Sequence, residues 1–228
     1  MIVDHRHEWD VTYQEAACLQ SVLREELVLA GDARGVRIVA GADVSYEKRG
    51  GTFFAGVVAM DTVTFEVIEE AHHVARVSFP YIPGLLSFRE GPVLLAAFEK
   101  LGVRPEAVIF DGQGIAHPRG FGLAAHMGLL LGVPTVGSAK SRLVGEHEDI
   151  GPERSSRAPL IYHERTVGYV VRTKERAKPV FVSPGHLICP EAAVGLVLAC
   201  TGRHRIPEPV RRAHLLVNRL RKESCHVS

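Results

Sequence analysis

Cysteine is scarce in this chain of 228 residues: Cys18, Cys189, Cys200 and Cys225 are widely scattered and form no C-x-x-C pair. Neither a disulfide framework nor a zinc-binding spacing is indicated, and a reduced, cytoplasmic setting is the expectation. No apolar run approaches the ~20 residues that a membrane span needs. The start, Met1-Ile2-Val3-Asp4-His5, has no basic stretch leading into an apolar one, so it does not read as a secretory signal. Excess charge is missing too. The formal net charge is +1, which speaks against a protein that coats nucleic acid through bulk positive charge, although local basic groups around an acidic site remain compatible with it. Two common catalytic signatures are also absent. There is no G-x-S-x-G elbow, and Gly112-Gln113-Gly114 fails as a dinucleotide fingerprint because its third glycine would fall on His117. No repeat, linker or low-complexity segment interrupts residues 1–228, so a single domain is expected, with nothing that demands more than a monomer.

What is present is apolar and periodic. Hydrophobic residues make up 46% of the chain, enough for a substantial core. Thr12-x-x-Glu15 has the form of a capping box before Ala16, Leu19, Leu23 and Leu27, which predicts an N-terminal helix. Three strand-like runs follow, 36–46, 52–61 and 64–77, joined by short links that suggest an antiparallel meander. Leu94, Phe98 and Leu101 then mark a helix ending at Gly102. A short strand over 107–110, a helix over 122–131 and a buried strand over 134–137 alternate as parallel βαβ units do. Further strands are expected near 160–162, 167–172 and 180–183, and two helices over 191–201 and 208–222. Three strands, helix, strand, helix, strand is the order of the ribonuclease H-like α/β fold: a mixed central sheet, antiparallel and then parallel, flanked by helices.

Within that order the acids are unusually placed. Asp43 interrupts an apolar strand, and a lone buried carboxylate is costly unless paired or bound to metal. Asp111 closes a second apolar strand before a glycine-rich turn. Adjacent parallel strands would bring both to neighbouring strand ends, where α/β active sites lie. Glu90 is the third candidate, expected on the first turn of the helix between them. Three converging carboxylates suit a hard, oxygen-seeking ion such as Mg²⁺, which supports phosphodiester hydrolysis. Each acid taken alone also reads as an ordinary turn or cap.

Several longer motifs resemble one known family. Residues 39–46 (VAGADVSY), 80–90 (PYIPGLLSFRE), 111–119 (DGQGIAHPR), 125–128 (AHMG) and 132–140 (GVPTVGSAK) resemble, in order, the motifs of endonuclease V, the deoxyinosine 3′-endonuclease. The resemblance implies Mg²⁺-dependent cleavage of the second phosphodiester 3′ to inosine, leaving a 3′-hydroxyl and a 5′-phosphate, with Mn²⁺ able to substitute. It implies that Asp43 and Asp111 ligate metal, that Glu90 completes the acids, and that Lys140 and His214 stand beside the reacting phosphate and metal. The expected partner is duplex or single-stranded DNA carrying deoxyinosine or other deaminated bases, with inosine-containing RNA as the competing substrate. A non-catalytic binding module would have no need of all three acids.

Two further assignments follow. Pro80, Tyr81, Ile82 and Pro83 form a stiffened segment that reads either as a rigid loop with Tyr81 packed on the core or as a strand-separating wedge, and the resemblance implies the wedge. Gly84, Leu86, Gly112, Gly114 and His117 are assigned to a pocket that reads the flipped lesion base. A histidine satisfied by a backbone carbonyl is the competing reading of His117. Arg89 supports either a phosphate or the acids. Among the basic residues 203–222, most are expected to form a solvated helix face and a minority to touch phosphate.

Overall fold

The computed structural model describes residues 1–47 and 51–226. Helix α1 (Tyr13–Arg24) opens on the capping box read from the sequence: the Glu15 amide donates to Thr12 Oγ1 (3.3 Å), and the Thr12 amide donates to the Glu15 carboxylate (2.7 Å). Strands β1 (Ile38–Tyr46), β2 (Thr52–Asp61) and β3 (Val67–Arg76) form the antiparallel meander. Helix α2 (Leu86–Glu99), strand β4 (Ala107–Phe110), helix α3 (Leu123–Leu131) and strand β5 (Thr135–Ala139) follow. Pairing of β1 with β4 and of β4 with β5 is parallel. Strands β6 (Arg157–Tyr162), β7 (Arg165–Val171) and β8 (Val180–His186) and helices α4 (Pro190–Ala199) and α5 (Glu208–His226) complete the chain.

The eight strands form one sheet in the order β3-β2-β1-β4-β5-β8-β7-β6. Its first five strands have the ribonuclease H-like arrangement expected from the sequence. The last three extend it antiparallel beyond β5. Because strand side chains alternate with period two, β1 and β4 each serve both faces. Ala40, Ala42, Val108 and Phe110 pack with α2 and α3 through Leu94, Phe98 and Met127. Val39, Ala107 and Ile109 pack on the opposite side with Val194, Val197 and Val210 of α4 and α5. The start of α5 approaches β1 so closely that a Cβ on Gly41 would lie 2.0 Å from the Pro209 carbonyl carbon. Only glycine leaves that space.

One boundary differs in a way that matters for function. The helix read from Leu94, Phe98 and Leu101 begins at Leu86, so Glu90 stands on its second turn and not its first. The capping position is Leu85, which has no side-chain oxygen, and the first turn carries no acid, so both usual signals of a helix start are missing. Among the described residues no helix is long and apolar enough to cross a membrane.

Candidate active site

Strand parity places the two aspartates. Val39 and Gly41 face the α5 side, so Asp43, two residues further, faces it too. Ala107 and Ile109 share that face, and the chain leaves β4 with Asp111 next in the series. The pairs Gly41↔Ile109 and Ala42↔Phe110, with the Asp111 amide donating to the Ala42 carbonyl (3.4 Å), carry the register to the strand ends. The carboxylates therefore meet at neighbouring ends of the two central strands.

Each aspartate meets a nitrogen side chain from another element. His214 Nδ1, on α5, lies 2.7 Å from Asp43 Oδ2. The Asn218 amide nitrogen is 3.1 Å from His214 Nε2, and its oxygen accepts from Arg221 Nη2 (3.0 Å). That orientation of the amide makes Nε2 the acceptor and Nδ1–H the donor to Asp43. Lys140, one residue beyond β5, places its ammonium on Asp111 Oδ2. The Asp43 hydrogen bond holds the His214 pKa above its ordinary value.

These partners do not offset the cluster. Burial first, and then the negative charges of Asp43 and Asp111, push Glu90 up to about 8, against the lowering effect of Arg89. Burial and Asp43 likewise raise Asp111, although Lys140 opposes the shift. Arg89 lies over the rings of Phe53 (5.0 Å) and Tyr46 (5.5 Å) and donates to the Phe79 carbonyl (3.3 Å). Those contacts pin it, and its charge opposes the rise of Glu90. Among the described residues no three His, Cys, Asp or Glu side chains already close around one point as a metal cage. The donor chemistry nonetheless fits a hard divalent ion: these are carboxylate oxygens, and beyond the effect of burial the charge of Asp43 raises both Glu90 and Asp111.

A cavity of about 360 Å³ opens beside the acids, within the usual range for ligand sites. Its lining joins Asp111 and Lys140 to Tyr81, Ile82, Pro83, Gly84, Leu86, Gly112 and His117. Most of the residues singled out in the sequence thus share one concavity. Gly114 does not line it: its amide donates to Ser183 Oγ (2.8 Å), and a Cβ there would lie 2.0 Å from the Pro184 carbonyl oxygen. That glycine lets the turn pack on β8. Within the wedge segment Tyr81 is 68% exposed, whereas Ile82 turns inward against the cluster of Ala16, Leu85 and Phe88. Pro80 and Pro83 are exposed on either side.

The loop is fastened at a single oxygen. The Gly84 carbonyl, at φ +81°, accepts from Gln20 Nε2 (3.0 Å), Arg119 Nη2 (2.7 Å) and His117 Nε2 (3.0 Å). The Arg119 amide donates to His117 Nδ1 (3.2 Å), so both ring nitrogens of His117 are engaged by backbone. Burial, with Arg119 nearby, holds that imidazole neutral, its pKa lowered to about 4. His117 therefore borders the cavity as a fastener of its rim. Gln20, Ser87 and Arg119 were given no role from the sequence; the one available signal was a polar Gln20 on the apolar face of α1, where it is 1% exposed. Of the C-terminal basic residues, Arg211 pairs with Glu208 (2.8 Å) and Arg219 with Glu70 (3.2 Å).

Paired carboxylates at adjacent strand ends of a ribonuclease H-like sheet, opening into a cavity rimmed by backbone, define an acid-cluster nuclease. The endonuclease V family model matches residues 21–215, and the chain belongs to that family, whose members hydrolyse phosphodiester bonds. It is 51% identical to endonuclease V of Myxococcus xanthus over 216 residues, covering 94% of this chain and 92% of the relative. The crystal structure of endonuclease V from Streptomyces avermitilis is 43% identical with a TM-score of 0.91, covering 99% of this chain and all of that one. Endonuclease V of Ciona intestinalis is 26% identical with a TM-score of 0.81, covering 92% of this chain and 98% of that one. It was solved with a 24mer DNA containing an inosine followed by a ribo-adenosine.

Proposed function

We propose that this nuclease recognises deoxyinosine in DNA and hydrolyses the second phosphodiester bond 3′ to it, leaving a 3′-hydroxyl and a 5′-phosphate, with Mg²⁺ as cofactor and Mn²⁺ as a substitute. The observation that carries the reading is the single cavity shared by Asp111, Lys140, the Tyr81 loop and the backbone of Gly84 and Gly112. Support for inosine comes from the Ciona relative and its inosine-containing DNA.

Asp43 and Asp111 would hold the metal, with Glu90 beside them. When bound, Mg²⁺ supplies positive charge that polarises the phosphodiester and activates water. Lys140, at the junction of cavity and acids, presents its ammonium to a phosphate oxygen. His214 holds Asp43 in place through Nδ1–H. Tyr81 enters the base step, and the stiff, fastened loop behind it keeps the base extruded.

The test is a nicking assay with Mg²⁺ on a duplex carrying one inosine, mapping the cut and its end groups. Cleavage at the second bond 3′ to inosine, absent with adenine or EDTA, is expected; cutting without regard to inosine overturns the reading. A matched RNA runs beside it, because the Ciona substrate carries a ribonucleotide after its inosine. Preference for RNA overturns the DNA assignment.

A further inference from the structure

A chain of hydrogen bonds runs from the surface at Glu8 to the cavity wall. His7 Nδ1 is 2.7 Å from the Glu8 carbonyl oxygen, and His7 Nε2 is 2.7 Å from His126 Nε2. His126 Nδ1 is 3.0 Å from Ser87 Oγ. Ser87, on the first turn of α2, lines the cavity next to Leu86 and is itself 1% exposed. His126 is fully buried, ringed by Trp9, Phe88 and Phe121 at 5.0 to 5.3 Å between ring centres.

The far end fixes the direction of every proton. A carbonyl only accepts, so His7 Nδ1 carries the hydrogen, and in a neutral ring His7 Nε2 is then an acceptor. His126 must donate to it from Nε2, which leaves His126 Nδ1 as a lone pair. Burial favours this neutral form of His126. The Ser87 hydroxyl has one proton, and it goes to His126. What remains on Ser87 Oγ is acceptor capacity alone.

We propose that Ser87 is a specificity-determining residue: its hydroxyl, polarised through His126 and His7 to the Glu8 carbonyl, accepts a hydrogen bond from the protonated ring nitrogen of the lesion base. Hypoxanthine carries a hydrogen on N1, where adenine offers a lone pair. A hydroxyl free to turn would serve either; one committed to His126 faces adenine N1 with a lone pair and repels it. His7 and His126 are positioning residues. The inference rests on the inosine reading above, and the experiment separates the two.

Binding is measured by fluorescence anisotropy in EDTA on single-stranded oligonucleotides carrying inosine, adenine or nebularine, a purine lacking both the C6 oxygen and the N1 hydrogen. The buffer is alkaline, where an ordinary imidazole is neutral. Ser87→Ala is expected to lose about tenfold on inosine and less than about twofold on nebularine, the scale of one hydrogen bond. His7→Phe keeps the ring packing and removes the relay's acceptor. His126 can then carry its hydrogen on Nδ1, releasing the Ser87 proton toward the cavity, so nebularine binding rises and the inosine-to-nebularine ratio falls about tenfold. Equal losses on both bases in either variant, or an unchanged ratio, overturn the relay. Wild-type protein that does not prefer inosine to adenine overturns the inosine reading itself.

Discussion

Glu90→Gln should stabilise the metal-free protein at alkaline pH and do little at acid pH. In the fold Glu90 is raised to about 8 by burial and by the charges of Asp43 and Asp111. A carboxyl raised in the folded state is neutral in both states below about pH 4.5, where it contributes nothing. Between that value and the folded one, folding takes up a proton and stability falls by about 1.4 kcal/mol per pH unit. Crossing from 4.5 to about 8 costs up to about 5 kcal/mol, reached fully above the folded value. Glutamine keeps the shape and removes the charge. Urea melts of EDTA-treated wild type and Glu90→Gln should therefore agree within about 1 kcal/mol near pH 5. Near pH 8 the variant should be more stable by about 3–5 kcal/mol, or about 10 °C in a chain of this length. Mg²⁺ should narrow the gap by stabilising the wild type, increasingly so as pH rises. A variant no more stable than wild type near pH 8 would refute the picture of a Glu90 carboxyl raised by burial beside Asp43 and Asp111.

Three further outcomes are expected. Asp43→Ala and Asp111→Asn should abolish Mg²⁺-dependent cutting while inosine binding stays measurable, and retained cleavage in either would remove its residue from the metal site. Tyr81→Ala should weaken inosine binding about tenfold in duplex and less than about twofold in single strands; equal losses by anisotropy would mean that Tyr81 separates no strands. Gly114→Ala, whose Cβ would lie 2.0 Å from the Pro184 carbonyl oxygen, should cost about 2–4 kcal/mol in urea melts. A neutral result there would mean that the turn has room to shift from β8.

Much of the site was legible because its placement rests on short-range rules. Strand parity follows from local apolar patterns, and the parallel β1–β4 pair that brings Asp43 and Asp111 together was suggested by the order of the elements. The N-terminal helix was equally plain, because Thr12 and Glu15 close a reciprocal cap within three residues. The start of α2 was hidden because Leu85 offers no capping oxygen, and the turn of Glu90 was misjudged with it. The antiparallel direction of β8 beside β5 is a pairing between distant segments that neither strand's own pattern encodes. The roles of His117, Gln20 and Arg119 depend on one carbonyl, Gly84, reached from two distant parts of the chain. His7 and His126 meet across 119 positions, a contact that no spacing announces.

The triple fastening of the Gly84 carbonyl also bears on kinetics. A loop tied to α1 by Gln20 and to the following turn by His117 and Arg119 has little freedom to reach for a base. The protein is then a fixed anvil, and the duplex supplies the movement. Encounter rates should follow how often a given inosine pair opens by thermal breathing. Sequence context and the opposing base would rank substrates in duplex DNA, and that ranking would vanish in single strands.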